Sequence, residues 1–225
     1  MTNVQALSVL TSYIAISHFR GVFMSLYVRV CICVAPGADT RDKRLKHDIY
    51  LSQKIWNPIS FQIDHVIQLD SSYTFHDREI SYITPFKYQK KVYRLLQHCT
   101  TLSSKSDIYV CYVGGNYFQE PNVIACAHSH YTNGRLKGFI LLTNRAASSM
   151  NMYTLAHEFG HILFTRWENG HLINTDPDSP NGSVHHPNAE NLMHKIIPVP
   201  KRKLNHLLSS NQRLTAMNSP LFHKH

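Results

Sequence analysis

The chain is short of acidic residues, paired cysteines and long apolar runs, and each shortage closes off a class of protein. Asp and Glu number 14 against 23 Lys and Arg, so the formal charge is +9, and charged residues make up only 16%. A basic surface suits nucleic acid, an anionic membrane or acidic substrates. Here, however, the positive residues are scattered, with no RNP, zinc-finger or helix-turn-helix pattern, so no specific nucleic-acid partner is expected. Cys31, Cys33, Cys99, Cys111 and Cys126 form no CxxC pair, and one is left over if disulfides form. Three of them lie in apolar, strand-like runs where buried free thiols are common. Read as structural and reduced, they lean towards a cytoplasmic setting. No cysteine or serine has a convincing base beside it, so nucleophilic catalysis has no support. The apolar run Leu7 to Ser17 is too short to span a bilayer; no basic stretch precedes it and no clear small-residue cleavage site follows. Residues 1–24 are therefore read as a leader or a packed N-terminal helix, with no transmembrane segment. Internal repeats and low-complexity tracts are also absent.

Apolar residues reach 43%, enough for a sizeable core, and the length suits one domain over 25–225. Val28 to Ala35 and Phe61 to Leu69 read as strands, separated by a helical spacing from Arg41 to Trp56 that Asn57-Pro58 ends. A second amphipathic helix is expected from Thr84 to Cys99, with Pro85 near its start. Further strands are expected at Asp107 to Val113, Val123 to Ala127 and, after the turn Thr132-Asn133-Gly134, Gly138 to Thr143. A helix should follow from Met152 to Trp167, then an aperiodic loop from Glu168 to Asn191, then a last helix from Arg202 to Met217. Strands alternating with helices predict an α/β (α+β) fold, a mixed twisted sheet packed on helices.

The third helix carries the chemistry. His157-Glu158-Phe159-Gly160-His161 is an HExxH pattern. Residues four apart share one helix face, so His157 and His161 can hold one Zn²⁺ at about 2.0–2.1 Å each. Glu158 sits too close in sequence to chelate with His157, and is placed instead as a general base towards water on the metal. Apolar flanks, Tyr153 to Ala156 and Ile162 to Phe164, predict a mostly buried helix whose polar stripe is this triplet. Catalytic zinc usually has three protein ligands and an open position, so a third ligand must come from downstream. His185 is favoured, with His171 and His186 as alternatives. Glu190 lies in a loop-like stretch and is disfavoured as a ligand.

In these residues the chain resembles the metzincin branch of the zincin metalloproteases, whose motif is HExxHxxGxxH followed by a Met-turn. Phe164 and Trp167 stand where that motif has its glycine and third histidine, so the contiguous pattern fails. Further on, Gly182-Ser183-Val184-His185 supplies a GxxH, and Met193 stands eight residues after His185 within Asn191-Leu192-Met193. The resemblance implies a split motif, with an insertion of about 18 residues between the second and third ligands. It also implies subdomains at 25–167 and 168–225, the second holding the Met-turn and final helix. It further implies an open edge at the strand nearest the helix, for which Gly138 to Leu142 is the candidate, where an extended peptide pairs. The activity implied is hydrolysis of a peptide or protein substrate with one catalytic zinc. Alternatives are a non-proteolytic zinc amidase or hydrolase, and a regulatory binding protein with a structural zinc. Substrate preference, oligomeric state and compartment have no signal in the sequence.

Overall fold

A computed structural model describes residues 26–41, 43–82, 88–132, 134–199 and 204–222. The Leu7 to Ser17 run, Pro85, Asn133 of the anticipated turn and the start of the anticipated last helix at Arg202 lie outside these residues. The chain forms a mixed sheet between helices. Its strands are β1 (Tyr27–Val34), β2 (Ser60–Gln68), β3 (Ile108–Tyr112), β4 (Ala125–Thr132) and β5 (Arg135–Leu142), in the order β2-β1-β3-β5-β4. The first four in that order are parallel, and β4 closes the sheet antiparallel to β5.

Alternation along β1 explains the two layers. Val28, Val30, Ile32 and Val34 face a core shared with α1 (Arg44–Ile55) and α3 (Thr154–Leu163). Cys31 and Cys33 face the other side, where Cys111, Phe139 and α2 (Lys90–Leu102) pack with them. The five cysteines are free thiols, four of them fully buried. Against the lowering effect of its hydrogen bond with Cys33, the hydrogen bond with Cys99 and burial raise the Cys111 thiol well above its ordinary value. Cys31, Cys33, Cys99 and Cys111 pack in the second core, where Cys33, Cys99 and Cys111 lie with their sulfurs within 4.8 Å of one another.

Three expectations need correction. The Gly138 to Leu142 run is not an edge: β5 lies between β3 and β4, and β4 is the edge strand. Strand β4 also runs on to Thr132, well past Ala127, because eight cross-strand partners on β5 carry it through His128, Ser129 and His130. The third helix is shorter than Met152 to Trp167, since Trp167 belongs to β6 (Arg166–Glu168), which pairs with β7 (His171–Ile173). The stretch from Glu168 onward thus begins with a small hairpin rather than a plain loop. After it the described residues hold little regular structure until α4 (Ser210–Met217). Among the described residues no helix is long and apolar enough to cross a membrane.

Candidate metal centre

Helix α3 is ten residues long, and every one of them is buried. Such a short helix is marginal alone, so tertiary packing holds it. Phe159 stacks on Phe61 at 4.1 Å between ring centroids, and the Trp56 indole N–H donates to the Ala156 carbonyl at 2.8 Å. Gly160 faces Met193 so closely that a Cβ there would meet the Met193 sulfur at 2.3 Å and Trp56 at 3.0 Å. Met193 therefore lies against the helix, one residue from His161 along it.

Ligand-type nitrogens of His157, His161 and His185 all lie within 4.8 Å of one another. His157 Nε2 and His161 Nε2 are 3.0 Å apart, close to the roughly 3.3 Å that two nitrogens keep on one tetrahedral zinc. The His185 ring sits 5.5 Å from that of His157 and 5.1 Å from that of His161, between centroids. His157 Nδ1 donates to the Leu192 carbonyl at 2.7 Å, leaving Nε2 with its lone pair for a metal. His161 Nδ1 is buried without a hydrogen-bond partner. Burial brings His157 down to about 4, holds His161 well below its usual value, and lowers His185 too. All three rings are thus neutral near pH 7, the form that binds a metal. The donor set fits a zinc-type ion.

Glu158 is 6% exposed, and burial pushes its carboxyl up to about 8. A cation bound beside it would pull that value down and restore a carboxylate. His157, Glu158, His161 and His185 line a cleft of about 480 Å³ together with Ala125, Ala127, Asn174 and Lys195. A larger recess, about 1000 Å³, lies elsewhere around Arg41, Arg44 and Arg145. Its charges are largely spent internally, Arg41 pairing with Asp39 and Arg44 with Asp48.

The other candidates stand apart from this group. His171 is exposed on the hairpin, and the His186 ring instead accepts from the Asn188 N–H at 3.0 Å. His185 comes in through a turn at Gly182, whose φ is +63°. The Leu192 carbonyl escaped the reading of the sequence because a backbone acceptor leaves no mark in residue type. Asn174 and Lys195 carry no spacing signal either.

No family model matches the chain, and no curated protein matches it by sequence. Solved structures do match its fold. One is metalloproteinase-II from Bacteroides fragilis, with a TM-score of 0.56 and 14% identity, covering 86% of this chain and 52% of that one. Another is a chaperone-substrate complex, with a TM-score of 0.51 and 14% identity, covering 89% and 40% respectively. The chain thus spans about half, or less, of the length of these structures. Its α/β architecture is one that a metalloproteinase also has.

Proposed function

We propose that the chain is a zinc-dependent metallopeptidase of metzincin type, with His157, His161 and His185 as ligands and Glu158 as general base. The convergence of three neutral imidazoles beside a buried carboxylate, in a cleft open to solvent, carries this reading. Zinc, when bound, supplies a Lewis acid that polarises a scissile carbonyl and makes water easier to deprotonate. The Glu158 carboxylate takes the proton from the attacking water and hands it to the leaving amine nitrogen. The Leu192 carbonyl orients His157, and Met193, read as a Met-turn, supports α3 from below. An extended peptide is placed along β4, the edge strand, which supplies backbone groups beside the cleft. Residues 25–167 and 168–225 are read as the subdomains on either side.

The test is Glu158→Gln against a broad peptide library. Wild type should cleave peptides, while the variant keeps its zinc and loses about 10²–10⁴-fold in rate. Activity within about tenfold of wild type would remove Glu158 from the mechanism. A zinc-loaded wild type that cleaves small amides or esters but no peptide would make the chain a non-proteolytic hydrolase.

A further inference from the structure

The inserted stretch between His161 and His185 raises a mechanical question: what holds His185 in place when the helix no longer leads directly into it? Gln212 of α4 answers it. Its side chain is fully buried and carries four hydrogen bonds. Nε2 donates to Asp176 Oδ2 at 2.7 Å and to Asn191 Oδ1 at 3.1 Å. Oε1 accepts from Asn191 Nδ2 and from the Ser209 N–H, each at 2.9 Å. One amide therefore joins the inserted segment, the turn before Met193 and the start of the last helix.

From Asp176 the connection runs on to His185. The Asp176 N–H donates to the Ser183 carbonyl at 2.9 Å, and the Ser183 hydroxyl accepts from the His185 N–H at 3.0 Å. Next to it, Asp178 accepts from the Ser209 hydroxyl and from Asn211 Nδ2. Leu192, which orients His157, has its own tie to the last segment, its N–H donating to the Leu207 carbonyl at 2.7 Å. Gln212 thus reaches both sides of the ligand set, the Leu192 side through Asn191 and the His185 side through Asp176.

We propose that Gln212 is a positioning residue for the metal centre: through Asp176 it latches the inserted segment to α4 and so aims His185. This rests on the reading of His185 as a ligand. A buried amide with every donor and acceptor used holds a segment in one arrangement, and its loss leaves Asp176 and Asn191 underpaired. Groups that orient metal ligands from behind typically change metal affinity by about 10–100-fold when removed.

The experiment measures zinc affinity with a competing chelator in four full-length proteins: wild type, Gln212→Met, His185→Ala and the double variant. Methionine keeps the length and removes the hydrogen bonds. Gln212→Met should bind zinc about 10–100-fold more weakly. In the His185→Ala background the same substitution should add less than about threefold, since the tie through Asp176 then has no ligand to aim and the Leu192 carbonyl keeps its own bond to His157, with the Leu192 N–H still tied to Leu207. An equal loss in both backgrounds, or affinity within about twofold of wild type in Gln212→Met alone, overturns the proposal. If His185→Ala itself leaves affinity unchanged, the ligand reading fails first and takes this proposal with it. Should Gln212→Met not fold, Asp176→Asn replaces it, with weakening of about tenfold expected and the same cycle against His185→Ala deciding.

Discussion

The two sides of the proposed metal centre are built on different physics. The sheet and α3 are held by apolar burial and backbone ladders, with Ile140, Phe159 and Ile162 essentially inaccessible. The described residues between 174 and α4 also bury Leu192, Met193, Leu207 and Leu208, but around Asp176 and Asn191 they rely on directed side-chain hydrogen bonds, such as those among Asp176, Asn191 and Gln212. Two imidazoles come from the first region and one from the second. The comparison separates rigidity supplied in bulk from rigidity supplied by a few directed contacts, and the two should fail in different ways.

The largest effect should fall where the regions meet. His185→Ala should weaken zinc binding by orders of magnitude, because two imidazoles chelate poorly, whereas His171→Ala on the exposed hairpin should leave it unchanged. Competition against a chelator measures both, and a reversed order would move the third ligand to the hairpin. Next, Ile140→Ala should lower unfolding free energy by about 2–5 kcal/mol in a urea titration. The folded fraction should still bind zinc with wild-type affinity, and a large drop in that affinity would blur the distinction between regions. Ser209→Ala removes the capping box of α4 and the bond to Asp178, at a cost of about 1 kcal/mol. Its signature should be local: faster hydrogen exchange at amides of residues 176–193, with the sheet unaffected.

The smallest effect is one of pH. Burial holds His128 below the usual value of 6.5, helped by its neighbour His130, and holds His130 there too, helped by Lys137. The unfolded chain then binds more protons below about pH 6.5, so stability should fall as the pH drops through that value. Replacing both by Gln should flatten the decline in Tm between about pH 7 and pH 5, and an unaltered slope would assign the decline to other groups.

The same contrast governs what could be read from the sequence. Strands β1, β2 and β3 and helix α1 announce themselves because alternation and helical spacing are local. Strand β4 beyond Ala127 does not, since His128, Ser129 and His130 are poor strand formers recruited by pairing with β5. The hairpin did leave a signal in Asn169-Gly170, both with positive φ, the dipeptide that favours tight hairpin turns. Its strands are three residues each, too short for periodicity to register. The HExxH residues stand out by spacing alone, and His185 stands out through its distance to Met193. The Asp176–Asn191–Gln212 network is invisible in the chain, because buried polar partners 21 and 36 residues apart obey no repeat.

The contact between Gly160 and Met193 has a consequence for how such a sequence can change. The fourth position of HEFGH is filled from below by a sulfur on another segment, so the two sites are not free to vary alone. A side chain at 160 would press on Met193 and on Trp56 together. Substitutions there should be accepted only in company, a methyl gained at 160 answered by volume surrendered at 193. In a set of relatives, the size of the residue at one position would then forecast the size at the other.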